Sequence, residues 1–306
     1  MNKKHNLCKL LQINYPIIQG GMAWISYYNL TAAICKAGAL GILTSVADDL
    51  DFVQSEIRKM KKLNLSFGIN IMMQSPYVNE IAQLIIDEKV PIVTTGGGNP
   101  QKYIDKWHAA GVVVIPVVSS VSYARIMERA GADAIIAEGM ESGGHIGNAT
   151  TLSLLPQICE KVNIPVIAAG GFYDHKSLLT AYLLGAQGIQ LGTRFLIAKE
   201  CNIHQNYKNK ILKSYDNSTI IVGNRTGHPV RALKSNFTNA FLQKENNKDI
   251  SNNELQEYMR GKFKIAVEEG DEETGCFLAG QIAGRIQKEE TVEEIITDII
   301  HGNEKF

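Results

Sequence analysis

The sequence predicts an α/β fold, a (β/α)8 TIM barrel with a C-terminal helical cap, and three observations carry that prediction. The first is a glycine just after an amphipathic segment and just before an apolar run. It recurs in Ala37-Gly38-Ala39-Leu40-Gly41-Ile42, Ala110-Gly111-Val112, Ala130-Gly131-Ala132-Asp133-Ala134-Ile135 and Leu184-Gly185-Ala186-Gln187-Gly188-Ile189. Glycine there marks the left-handed end of a helix. The second is a run that opens at proline and closes at paired glycines, as in Pro16–Gly21, Pro91–Gly98 and Pro165–Gly171. Proline at a strand's first residue forfeits no ladder bond. The third is that eight such strands alternate with helices, which suits a closed wheel better than an open doubly wound sheet. Gly20-Gly21-Met22 does not complete a GxGxxG fingerprint, and no acidic residue stands where a dinucleotide ribose would need one.

Taken in order, the strands fall near Pro16–Gln19, Gly41–Leu43, Phe67–Ile71, Ile92–Thr95, Val112–Val118, Ala134–Ala137, Pro165–Ala169 and Gly188–Leu191. Each is a short continuous apolar run, as parallel strands buried on both faces are. Between them the spacing is helical: Leu30, Ala33, Ile34 and Ala37 recur at i, i+3, i+4 and i+7, and so do Val78, Ile81, Ala82 and Ile85. The rhythm stops near Ser214, so residues 1–214 are expected to form the barrel and residues 215–306 a cap packed on it. In the cap, Thr219–Val222 is a β-branched run and Thr226–Lys234 holds a Gly-His-Pro turn. From Phe237 the chain is charged and reads as helical, ending in Glu273–Lys288 and Thr291–His301.

A chain of 306 residues is long enough for a barrel of about 250 residues. Its 31 basic and 31 acidic residues balance, which argues against nucleic acid or an anionic membrane as partner and for small-molecule chemistry. Five cysteines stand singly with no metal-ligand spacing, so reduced thiols and no metal are expected. No signal core opens the chain and no apolar run reaches membrane length, so a cytoplasmic location follows.

In a barrel of this kind the chemistry sits at the C-terminal ends of the strands, and the last two loops commonly hold a phosphate on bare amides. Here those loops are Ala169-Gly170-Gly171 and Gln190-Leu191-Gly192-Thr193. The sixth strand runs into Glu138-Gly-Met-Glu-Ser-Gly143-Gly144-His145, with glycines dense enough to bring backbone against a ligand. The other endings, Gln19-Gly20-Gly21-Met22-Ala23, Asn70-Ile71-Met72-Met73 and Thr95–Asn99, are polar but poor in proton-transfer groups. Amides and methionines suit a broad planar heterocycle read at its rim, and with a phosphate that describes flavin mononucleotide (FMN). His145, the histidine of the glycine-rich loops, is the candidate to move a proton beside the ring. Glu138 and Glu141 are either a catalytic pair, or one holds flavin or a cation while the other faces solvent. His228 is a turn histidine unless the cap brings it to the mouth. Met22, Met72 and Met73 are core or a pliable wall, and Trp24 and Trp107 are packing residues. Arg194 is expected to brace its loop through an ion pair.

These residues also carry a resemblance. Gln19-Gly-Gly-Met-Ala-Trp24, Gly68-Ile-Asn-Ile-Met-Met73, Val93-Thr-Thr-Gly96, Ile135–Gly147, Ile164–Gly171, Gly192-Thr-Arg-Phe195, Ala198–Cys201, Asn206–Leu212 and Gly227-His-Pro-Val-Arg-Ala232 resemble the flavin-dependent enoyl-acyl-carrier-protein reductases. Those belong to the wider nitronate monooxygenase-like group of FMN barrels. The resemblance implies reduction of the 2,3 double bond of an enoyl thioester on acyl carrier protein, with NADH or NADPH as hydride donor. It also implies a homodimer and a stimulating monovalent cation. It places FMN against Gly20, Gly21, Met22, Ala23, Asn70, Glu138, Gly143, Gly144, Ala169, Gly170, Gly171, Gln190, Leu191, Gly192 and Thr193, with His145 over the reactive face. The alternative is a nitronate monooxygenase, in which glutamine is usual at the position of Glu138. Thr44-Ser45-Val46-Ala47-Asp48 departs from the glycine-rich loop common in the reductases. Lys199, Lys208, Lys210 and Arg231 are contacts for an acidic carrier or simply solvated charges.

Overall fold

The computed structural model describes residues 4–46 and 49–302, so Ala47 and Asp48 of the divergent second loop lie outside the described residues. The described residues form eleven strands: β1 Ile17–Gln19, β2 Ile42–Thr44, β3 Gly68–Met72, β4 Ile92–Gly96, β5 Val113–Val118, β6 Ile135–Glu138, β7 Gly144–His145, β8 Val166–Ala169, β9 Gly188–Leu191, β10 Thr219–Val222 and β11 Val230–Leu233. Eight of them are parallel, in the order β1-β9-β8-β6-β5-β4-β3-β2. A parallel bridge between Ile18 and Leu40 closes the ring. There the Gln19 N–H donates to Leu40 O and the Leu40 N–H to Ile17 O, each at 2.9 Å. The fold is therefore a TIM barrel with helices between its strands and further helices after them.

Both sequence marks have their expected cause. Gly38, Gly111, Gly131 and Gly185 all have positive φ, turning the chain from helix into strand. Pro16, Pro91 and Pro165 lack a donor but use their carbonyls, which accept from Ile189, Val113 and Ile135 at 3.0, 2.9 and 3.0 Å. Inside the barrel, Ile18, Ile42, Ile92, Ile115, Ile136 and Ile167 pack with Leu7 and Leu11. Those leucines belong to a helix at Lys4–Leu11 that the periodicity does not reveal. It plugs the end of the barrel away from the site, since Leu7 lies against the start of β9 and the Ser66 hydroxyl, just before β3, donates to Leu11 O.

The segment after the barrel is more than a helical cover. β10 and β11 are antiparallel, and β11 also pairs with β7, placing Val230 opposite His145 and Arg231 opposite Gly144. The helical reading of Glu273–Lys288 is corrected: only Gln281–Arg285 forms a short 3-10 turn. Upstream of it the chain runs extended beside β11, where the Leu233 N–H donates to Phe277 O at 2.7 Å and Ala232 bridges Leu278. The cause is backbone crowding against the loop after β6. A Cβ on Gly143 would lie 2.6 Å from the Ala279 carbonyl carbon, and one on Gly280 would lie 2.7 Å from Glu141 O. Helices Asn236–Asn246, Asn252–Met259 and Lys262–Glu268 complete the segment, and the last helix, Val292–His301, returns to pack on Tyr28–Lys36 and His175–Leu183.

Candidate active site

The C-terminal ends of the barrel strands open into one cavity of about 960 Å³, walled on its far side by the segment after the barrel. Every residue singled out for cofactor contact or catalysis lines it. The loop after β1 is set by Gln19, whose side chain is fully buried. Its amide nitrogen donates to the Ser26 hydroxyl at 2.7 Å and to the Gly20 carbonyl, and its oxygen accepts from the Ile42 N–H at 3.1 Å. Gln19 is thus a strut beneath the loop and not part of the rim. Above it, Gly21 admits the neighbouring side chain: a Cβ there would sit 2.2 Å from the Asn70 Cβ. The Thr94 hydroxyl donates to Asn70 Oδ1 at 3.0 Å, which leaves the amide NH2 as a donor at the rim.

Loops eight and nine form a shallow cradle. Gly170 and Gly171 have φ of +90° and +89°, the left-handed region where a side chain is strained. A Cβ on Gly171 would touch only Glu141, and one on Gly192 only the Met22 sulfur at 3.7 Å, so both face open cavity. The Thr193 hydroxyl is engaged by the Gly280 N–H at 2.8 Å. Arg194 braces this loop from behind, paired with Glu290 at 2.6 Å.

The loop after β6 carries the titratable groups. Burial pushes the Glu138 carboxyl up to about 7, with Ser142 drawing it back. At neutral pH a large share of Glu138 is therefore a proton donor. Glu141 also lines the cavity, and its carboxylate is engaged by the neighbouring helix start. Its carboxylate accepts the Thr151 N–H at 2.7 Å and lies 2.6 Å from the Thr151 hydroxyl, which is also 2.8 Å from the Gly170 carbonyl. The side chain ties the sixth loop to the eighth. His145 projects into the cavity from β7, its ring open to the cavity yet surrounded by protein. That burial, and then the charge of His228, hold its pKa below the usual histidine value. His145 is accordingly neutral at pH 7, with one N–H and one lone pair.

Of the remaining candidates, Met22 and Met72 line the cavity, whereas Met73 packs against the barrel's outer core. Trp107 is fully buried against Tyr103, while Trp24 sits at the rim with φ of +63° and the Lys264 ammonium over its ring at 4.7 Å. Lys208 and Arg231 are buried, bound to Glu289 and to the Met140 carbonyl, so neither is free to meet a carrier. Phe241, Leu255, Met259, Phe263 and Leu278 line the cavity from the segment after the barrel. Sequence reasoning did not pick them out, because apolar residues on charged helices carry no motif.

A model of the family described as nitronate monooxygenase matches residues 4–85 and 75–302. The chain belongs to the nitronate monooxygenase family. The family is FMN-dependent. Among solved structures, FabK from Thermotoga maritima is 44% identical, with a TM-score of 0.94 over 97% of this chain and 94% of that one. A nitroalkane oxidase from Streptomyces ansochromogenes is 26% identical, with a TM-score of 0.82 over 96% of each chain. Among curated proteins, a probable nitronate monooxygenase of Staphylococcus aureus is 31% identical over 98% of both chains. A (3aS,4S,5R,7aS)-5-hydroxy-7a-methyl-1-oxo-octahydro-1H-indene-4-carboxyl-CoA dehydrogenase of Rhodococcus jostii is 36% identical over 77% of this chain and 67% of its own.

The residues present fit FMN. The open faces of Gly171 and Gly192 leave the depth a phosphate needs, and Asn70 and the protonated share of Glu138 offer donors to a ring. A volume near the upper end of the 300–1,000 Å³ usual for ligand sites leaves space for a second molecule beside a mononucleotide.

Proposed function

We propose that the chain is an FMN-dependent enoyl-acyl-carrier-protein reductase that saturates the 2,3 double bond of a trans-2-enoyl thioester with NADH or NADPH. The observation that carries this reading is the near full-length likeness, at 44% identity, to FabK, an enoyl-acyl-carrier-protein reductase. When bound, FMN supplies a two-electron carrier between the nicotinamide and the activated double bond. The chain's residues do the rest. Gly170, Gly171, Gly192 and Thr193 present backbone to the phosphate; Gly20 to Ala23, Asn70, Gln190 and Leu191 line the ring, and Gly143, Gly144 and Ala169 let it approach. Glu138 donates a hydrogen bond at its rim. His145, neutral and held by the β7–β11 ladder, holds the proton destined for the α-carbon. The apolar wall from Phe241 to Leu278 excludes water and receives the acyl chain.

Residues 1–214 and 215–306 act together here as barrel and cap, in a cytoplasmic homodimer that a monovalent cation stimulates. No helix among the described residues is long and apolar enough to cross a membrane. The test is anaerobic: NADH or NADPH bleaches the flavin band and an enoyl thioester restores it with loss of the double bond. A flavin that either nicotinamide bleaches but no enoyl thioester restores ends the reading. The second reading, a nitronate monooxygenase, is favoured by the family model and by the full-length S. aureus relative. It requires oxygen uptake with an alkyl nitronate in the absence of nicotinamide.

A further inference from the structure

His228 lines the cavity, and the proposed reaction gives it no task. It follows Gly227 in the turn before β11, and a Cβ on Gly227 would meet nothing within 4 Å, so the turn reaches open space. The ladder brings the start of β11 beside His145. Val230 is opposite His145, and the Ile146 N–H donates to Pro229 O at 3.2 Å, so the pairing continues towards His228. His228 stands two residues before Val230, outside the strand, and its charge acts on the His145 ring across the cavity that both residues line. Proton transfer between two such side chains runs directly or through one water.

We propose that His228 is the positioning residue through which His145 draws its proton: His228 takes a proton from water and passes it to one ring nitrogen of His145. The other ring nitrogen of His145 then gives its proton to the α-carbon. This rests on the proposed enoyl reduction. The α C–H bond forms with the electron pair of the double bond; FMN, where bound, would supply the hydride equivalent for the β-carbon. The His145 N–H bond breaks as its second nitrogen gains the proton of His228. His145 and His228 both end neutral, as they began, and the hydroxide left by the donor water is neutralised by buffer at the open mouth of the cavity. A lone neutral imidazole would end as imidazolate, an anion that burial opposes. The pair avoids it.

Other titratable and charged groups face the same space. Glu138 and Glu141 stand on the loop after β6, with Glu141 bound to Thr151. Tyr123, Arg260 and Lys264 line the cavity from three other helical segments. Arg231 binds Met140 O and Thr219, and Glu245, behind the turn, accepts the Gly223 and Arg225 amides.

The test uses flavin-loaded full-length protein with His228→Asn, and His228→Gln as a second variant. Reoxidation of reduced flavin by an enoyl thioester is expected to slow on the order of 10-fold at pH 7, less than the 10²–10⁴-fold of a primary acid. Bleaching by NADH is expected to hold within about twofold, and added imidazole to restore most of the lost rate. In the imidazole NMR titration, the His145 pKa is expected to rise in the variants as the neighbouring charge is removed. An unchanged His145 titration, or equal slowing of both half-reactions without imidazole rescue, overturns the relay. If wild-type flavin is not reoxidised by the thioester, the proposed function itself fails; if it is and both variants match it, only the relay fails.

Discussion

Glu138→Gln tests the electrostatics of the site without relying on turnover. The carboxyl of Glu138 is raised by burial from about 4.5 to about 7 in the folded chain. A carboxyl raised on folding favours the folded state while it is protonated. Its contribution is complete below the unfolded pKa and is lost as pH rises through the folded one, here between about 4.5 and 7. At about 1.4 kcal/mol per unit, that shift is worth roughly 3 kcal/mol, and water in the flavin-free cavity reduces it to about 1–3 kcal/mol. Glutamine has the same shape and never ionises. Flavin-free Glu138→Gln is therefore expected to match wild type within about 0.5 kcal/mol at pH 5 and to exceed it by about 1–3 kcal/mol at pH 8.5. Urea unfolding followed by far-UV circular dichroism at both pH values reads the difference. A gap that stays the same at both pH values would mean that Glu138 ionises normally and is no donor to the ring.

Gly171→Val is expected to abolish FMN binding, because φ of +89° is strained for a branched residue and its methyls would fill the open cradle; a variant that purifies yellow would show that the phosphate lies elsewhere. Thr151→Val removes the hydroxyl between Glu141 and the Gly170 carbonyl, and a loss of about 1–3 kcal/mol with weaker flavin affinity is expected in thermal unfolding and fluorescence titration. Unchanged flavin affinity would separate that tie from the cradle. Leu255→Trp, on the buried floor of the apolar wall, is expected to raise KM for long enoyl chains at least about tenfold while four-carbon substrates are spared, since each buried methylene is worth about 0.8 kcal/mol. Equal effects on both would place the acyl chain elsewhere.

What the sequence made legible was local. The strands of the barrel are continuous apolar runs and the turns into them need left-handed glycine, so a few neighbouring residues suffice to place each unit. The glycine cradle and His145 are legible for the same reason. Partners distant in sequence are not. Val-Arg-Ala-Leu at 230–233 reads as the tail of a turn until its pairing with Gly144 and His145 makes it a strand. Nothing in the loop of Glu141 announces the Thr151 amide that its carboxylate accepts. Gln19 looks like a rim amide because the buried Ser26 and Ile42 groups that claim it come later in the chain. Glu273–Lys288 has the composition of a helix, but contact with the backbone of the sixth loop draws it out straight.

The most direct measurement is the anaerobic absorption spectrum of the purified protein, recorded with FMN, then with a nicotinamide donor, then with a trans-2-enoyl thioester. The expected course is a flavin band that bleaches with the donor and returns with the thioester, one saturated product forming per flavin. A protein that leaves added FMN free in solution, or whose bleached band the thioester cannot bring back, would contradict it.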